Sequence, residues 1–280
     1  MIEQEPYISD EQALANPRAA RLKLNWVPWT AQITFRGVLF TLVPWIGVTL
    51  LLNSLGNRSA PITHPVSLGD DIGSSLFAIL FTLVIEGAFL IAPFYYAHKM
   101  LTLATPREGE TRLQALFRFL GLRGFNFPRT LPWIIGLMVL IIGADWLYSW
   151  VVATLHLNLQ TNDQLVQQYS LYEPLTTYAI LAGSVLIAPF CEEIFFRGFV
   201  FPGLLRDLSP LWAVLVSSAL FAVAHADPGS FIPLFLIGLA LGFLRWRTGS
   251  TWASMSLHIL NNLLASVEII LYMHHIVLPF

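Results

Sequence analysis

Charge is what this chain lacks most. Only 11% of its 280 residues are Asp, Glu, Lys or Arg, less than half of the roughly 25% usual in soluble domains. So few charges cannot cover an ordinary water-facing surface, which excludes a soluble globule. The basic residues form no arm or stripe and the formal net charge is −2, so nothing points to a nucleic-acid partner. Cysteine is scarcer still: Cys191 stands alone, and no internal disulfide can form. The first 30 residues carry Glu3, Glu5, Asp10 and Glu11 and contain no apolar stretch. That is the reverse of a secretory signal, and insertion is expected to start with the first span itself. Internal repeats and low-complexity tracts are missing as well.

What is present is hydrophobicity, 56% of the residues, gathered in blocks of about 20 between turn signals. A block of that length crosses a hydrocarbon core of about 30 Å as a helix. Seven spans are expected, at about 37–55, 74–97, 131–154, 175–205, 211–226, 231–247 and 250–272. The fold class is therefore all-α, a polytopic transmembrane helix bundle with residues 1–36 as an N-terminal segment and 37–280 as one membrane domain. The fourth span exceeds the bilayer, so it should tilt or run on beyond it. Between the second and third spans, Leu113, Leu116, Phe117 and Leu120 recur at helical spacing among Arg112, Arg118 and Arg123, the pattern of an amphipathic helix lying in the interface. Gly238 and Gly242 form a G-x-x-x-G in the sixth span, read as ordinary close helix packing.

Twelve basic residues fall on one side of these spans: Arg18, Arg21, Lys23, Lys99, Arg107, Arg112, Arg118, Arg123, Arg129, Arg206, Arg245 and Arg247. The opposite loops carry only Arg58. Basic residues favour the cytoplasmic side. We expect a cytoplasmic N-terminus, an external C-terminus and residence in a bacterial cytoplasmic membrane.

Ionisable residues inside spans cost at least about 2.5–3.5 kcal/mol at a helix centre and tend to be functional. Of the seven histidines, His64, His98, His156, His274 and His275 fall in loops or at span ends. Only His225 and His258 lie well inside spans. Glu192 and Glu193 sit in the fourth span. Arg197, four residues after Glu193, shares its helical face and can pair with it. Glu192, rotated by about 100°, is the carboxyl left over for other work. His258 and Asn262 share one face of the last span. Glu192 and His225 each lie 14 residues from one hairpin turn, roughly 21 Å deep on both sides. His258 and Asn262 come out roughly 13 and 20 Å from the next turn. All four can meet at one level. A carboxylate could then deprotonate a water with an imidazole to share it, and His and Asn N–H donors could hold an oxyanion. Those are the parts of amide hydrolysis without a covalent intermediate.

Three patterns, E-E-x-x-x-R (Glu192, Glu193, Arg197), F-x-x-x-H (Phe221, His225) and H-x-x-x-N (His258, Asn262), occur in order on three apolar helices. In this the sequence resembles the CPBP family: CAAX proteases and bacteriocin-processing enzymes, or Abi-type intramembrane glutamic endopeptidases. The resemblance covers about residues 175–270 and implies a bundle that often has eight helices. It implies Glu192 as catalytic acid/base, His225 as its partner on the water and His258 with Asn262 as the oxyanion site. Glu193 and Arg197 would hold the motif in place. It calls for no cofactor, and the expected partners are membrane lipid and a peptide or protein substrate.

Other readings compete. Glu192 can be a structural ion-pair member, and single buried imidazoles more often bond within a core. Glu192, His225 and His258 would also suit a catalytic zinc, although no H-E-x-x-H is present. A transporter or immunity scaffold could line a pathway with the same groups. Glu86 and Asp145 match no motif and are read as packing or cavity residues. Cys191 is read as a small apolar filler.

Overall fold

The computed structural model describes residues 16, 25–56, 66–103, 109–157, 159, 170 and 172–275. Arg18, Arg21, Lys23, Arg58, His64 and Arg107 lie outside the described residues, and with them part of the charge asymmetry. Eight helical rods follow one another among the described residues: α1 (Ala31–Gly56), α2 (Leu68–Leu103), α3 (Arg112–Phe119), α4 (Phe127–Thr154), α5 (Pro174–Leu204), α6 (Pro210–Ala224), α7 (Phe231–Thr248) and α8 (Thr251–Met273). Six of them are long and apolar enough to cross a membrane, and α6, at 15 residues, is not one of the six. The chain is a polytopic helical membrane protein.

Six of the seven expected spans appear as crossing helices, with different ends, and the span expected at 211–226 appears as the shorter α6. Helix α1 begins at Ala31 and α2 at Leu68, each six residues ahead of its apolar block. Polar caps explain the extensions. The Asp207 carboxylate accepts from Ala31 N at 3.0 Å, and Ser67 Oγ accepts from Asp70 N at 3.3 Å ahead of an acidic first turn. The boundary expected at residue 36 thus falls inside a helix, and Val27 and Trp29 before it are buried in the core.

The α3 helix forms where its amphipathic pattern lies, opened by a Thr111–Gln114 capping box. Ala115 and Phe119 face the core while Leu113 and Phe117 stay exposed.

Helix α5 is the centre of the bundle. In its most apolar stretch 56% of residues are buried, against 11% for α2, whose other faces point outward. Its phenylalanines knit the neighbours together. Phe195 and Phe196 meet Phe89 of α2 at 5.2 and 5.7 Å, and Phe196 meets Phe221 of α6 at 5.3 Å. Phe199 lies 5.3 Å from Trp29. On α7, a Cβ at Gly238 would come within 2.9 Å of Ser218 Cβ, and one at Gly242 within 3.1 Å of Val214. The G-x-x-x-G is thus the surface on which α6 and α7 approach closely.

Candidate active site

Helix α5 is not one continuous α-helix. It widens to π geometry over Gly183–Ile187 and again over Ile194–Val200, on either side of Ala188–Glu193. Prolines account for what this frees. Ala188 N–H bonds back five residues to Gly183 O, so the next donor in the pattern, for Ser184 O, would be residue 189. That is proline, which has no N–H. Likewise Phe201 N–H bonds to Phe196 O, and the donor for Arg197 O would be Pro202. Two carbonyls, that of Arg197 fully buried and that of Ser184 half-buried, are left without a backbone partner, and each is taken by a side chain. Asn262 Nδ2 donates to Ser184 O at 2.8 Å, and Arg245 Nε donates to Arg197 O at 3.0 Å. Short π segments recur at functional sites, and these two bracket the acidic pair.

The pair divides as its spacing predicts. Arg197 Nη1 donates to Glu193 Oε1 at 2.9 Å, with both side chains fully buried, and Arg197 Nη2 donates to Gly238 O at 3.1 Å. Glu193 Oε1 also faces His258 Nδ1 at 3.3 Å, so it tethers α8 as well as Arg197. Glu192 points elsewhere. Its Oε1 lies 3.9 Å from His225 Nε2 and its Oε2 3.8 Å from His258 Nε2. Both separations exceed a direct hydrogen bond and suit a bridging water.

Each imidazole is aimed by its other nitrogen. His225 Nδ1 donates to Phe221 O at 2.8 Å. Since a carbonyl only accepts, Nδ1 carries the hydrogen and Nε2 turns toward Glu192. This is the physical content of F-x-x-x-H: the carbonyl four residues back orients the ring. The Phe221 ring completes the wall, 4.7 Å from His225 and 5.6 Å from His258, with the Arg197 guanidinium 4.5 Å away. His225 ends α6, and Ala226 follows with a left-handed φ of 48°. The adjacent Ala224 O accepts from Trp45 Nε1 of α1 at 2.8 Å, which closes a helix-end carbonyl.

Glu192, His225 and His258 are therefore brought together as the depth arithmetic expects. Asn262 lies one helical turn beyond His258 and spends one amide hydrogen on Ser184 O. Exposure is graded across the site: the His225 side chain is 27% exposed, Glu192 9%, His258 4% and Glu193 0%. Access is from the His225 side. Among the described residues no group of three or more His, Cys, Asp or Glu is arranged to hold a metal ion.

Two features escaped the sequence pattern. Arg245, counted there with the charges on the cytoplasmic side, is fully buried and also donates to Asn25 Oδ1. Its place beside Trp246 and Arg247 at the end of an apolar block hides this, because composition cannot tell a water-facing arginine from an inward one. Asp71 accepts from Leu175 N at 3.0 Å, Thr176 N at 2.9 Å and Thr176 Oγ1 at 2.8 Å. It caps the first turn of α5 from α2. Nothing local in sequence couples residues so far apart.

Comparison with known proteins bears on the same segment. Residues 174–264 match the family described as type II CAAX prenyl endopeptidase Rce1-like. YdiL of Bacillus subtilis strain 168, named on provisional grounds as a membrane peptidase, is 32% identical over 79 residues, which are 28% of this chain and 32% of that protein. The match spans about a third of the length of that curated relative. No solved structure matches.

Proposed function

We propose that this chain, whose residues 174–264 match the Rce1-like family, is an intramembrane endopeptidase. It hydrolyses a peptide bond in a membrane-associated peptide or protein tail. The observation that carries this is the split between adjacent carboxyls. Glu193 is consumed by Arg197 and His258, whereas Glu192 faces two imidazole Nε2 atoms at 3.9 and 3.8 Å. A base left over between two imidazoles is arranged for a water molecule, not for a structural bond.

In the reaction Glu192 removes a proton from that water, which His225 shares through its Nε2. The hydroxide attacks the scissile carbonyl carbon. The carbonyl oxygen becomes an oxyanion held by His258 and by the amide hydrogen of Asn262 that Ser184 O leaves unused. Glu192 then returns the proton to the departing nitrogen as the carbon–nitrogen bond breaks. Because exposure falls from His225 inward to Glu193, the substrate carbonyl enters past His225. With a cytoplasmic N-terminus, the turn between α5 and α6 and that between α7 and α8 lie on the cytoplasmic side.

The test is Glu192→Gln, which keeps shape and removes the base. Membrane peptides are compared by mass spectrometry in cells holding the wild type, this variant or neither. A fragment present only with the wild type is expected. Its persistence with folded E192Q protein would refute Glu192 as the base.

A further inference from the structure

Glu86 of α2 is a half-buried acid for which the proposed chemistry has no use. The face of α2 that carries it lies along α5 in register. Thr82 meets the position of Gly183, Phe89 meets Phe195 and Phe196, and Tyr96 stacks on Phe199 at 5.7 Å. Glu86, one turn beyond Thr82, is thereby set against the turn that leads into Glu192. It is within electrostatic reach of both Cys191 and Glu192. Its Oε2 is shut away from the surface and has no hydrogen-bond partner among the described residues.

Among the described residues no cation is placed to balance it. Arg36, the ionisable residue of α1, adjoins Gly37, whose neighbours are Ala92 and Phe199, roughly 9 Å along α2 from Glu86. What α1 brings near Glu86 is Trp45, 4.5 Å from Phe89. On α3, Arg118 is held by Glu110. From α5 come Glu193 and Arg197, which are paired with each other. His225 of α6 and His258 of α8 face Glu192.

An acid kept in a bilayer-embedded segment without a structural partner marks function by default. Two carboxyl groups in apolar surroundings, with no cation between them, do not both ionise. We propose that Glu86 and Glu192 form a carboxyl pair holding one proton between them, with Glu86 the positioning residue that leaves the charge on Glu192. This rests on Glu192 being the base, as proposed above. The pair titrates as a unit. Loss of the shared proton puts two negative charges beside the attacking water and closes the alkaline side of the activity profile.

The test uses the full chain in phosphatidylcholine vesicles. Infrared spectra across the neutral range follow the carbonyl stretch of a protonated carboxylic acid, which a carboxylate lacks. Glu86→Gln should remove one such band, and an unchanged spectrum overturns the pair. Glu192→Gln should keep the band but let it titrate away at a pH lower by about one unit or more, since the neighbouring negative charge is gone. A midpoint equal to wild type also overturns it, and this arm stands even where E86Q does not fold. In cleavage assays E86Q should retain activity within about tenfold at the optimum and lose the alkaline fall. Superimposable profiles, or a variant as dead as E192Q, refute the role. A wild type that cleaves nothing while the infrared shifts appear tells against the protease and leaves the pair intact.

Discussion

Replacing each of two adjacent glutamates by glutamine should separate chemistry from scaffold. Glu192 has no direct hydrogen bond to either imidazole, at 3.9 and 3.8 Å. Glu192→Gln therefore leaves no group newly stranded, and the melting temperature in detergent should stay within about 2 °C, a change of at most about 1 kcal/mol. Activity should fall by at least the 10²–10⁴-fold typical of a general base. Glu193→Gln does the opposite. It leaves the fully buried Arg197 guanidinium facing a neutral amide in place of a carboxylate at 2.9 Å. Breaking a buried pair from one side costs about 3–5 kcal/mol, and at about 2–4 °C per kcal/mol the melting temperature should drop by on the order of 10 °C. His258 Nδ1 in the same step faces a neutral amide in place of the carboxylate at 3.3 Å, so activity at permissive temperature falls too. Static-light-scattering melts and single-turnover cleavage of the two variants side by side provide the assay. Equal destabilisation by both would refute the division of labour between the carboxyls.

Three further outcomes follow from the geometry. Asn262→Ala strands Ser184 O and should cost about 1–3 kcal/mol. In a Pro189→Ala background residue 189 regains an N–H for that carbonyl, and the cost should shrink toward zero. A double-mutant cycle by thermal denaturation reads a coupling of about 1–2 kcal/mol, and strict additivity would disprove the proline explanation. Trp45→Phe keeps the ring against Phe89 but drops the bond to Ala224 O. It should lower kcat several-fold with KM little changed, because His225 loses its anchored helix end, and a change in KM alone would contradict this. Asp71→Ala uncaps α5 by removing the carboxylate that accepts from Leu175 N, Thr176 N and Thr176 Oγ1. It should lower stability by about 1–2 kcal/mol while per-molecule activity in the cold is kept, as checked by melts and initial rates.

How much of this is legible in the sequence differs by feature. Six of the seven spans are, because apolar length alone decides them, and the meeting of Glu192, His225 and His258 follows from counting residues from two turns. Helix ends are not. Ala31 and Leu68 start helices through caps supplied by polar residues that hydropathy discounts, one of them Asp207 from a distant turn. The π segments leave a trace that can be read only in retrospect. Pro189 and Pro202 inside one apolar block signal that carbonyls will lose their donors, but not which side chains will take them. Glu86 reads as a packing residue because its partner lies on another helix, and Arg245 reads as a surface charge for the same reason.

The two prolines also bind the acidic pair to other helices of the bundle. Each frees a carbonyl next to the acidic pair, and each carbonyl is claimed by a different tether. Asn262 ties the upstream π segment to α8, and Arg245 ties the downstream one to α7 and, through Asn25, to the chain before α1. Trp45 adds a third tie from α1 to the end of α6. Tethers on both sides of Ala188–Glu193 fix its rotation. The i, i+4 spacing keeps Glu193 with Arg197 whatever the rotation, and the rotation decides whether Glu192 meets the imidazoles. A turn of about 100° would carry Glu192 away from both imidazoles. The geometry of Glu192 is thus a property of α1, α7 and α8 as much as of the helix that carries it.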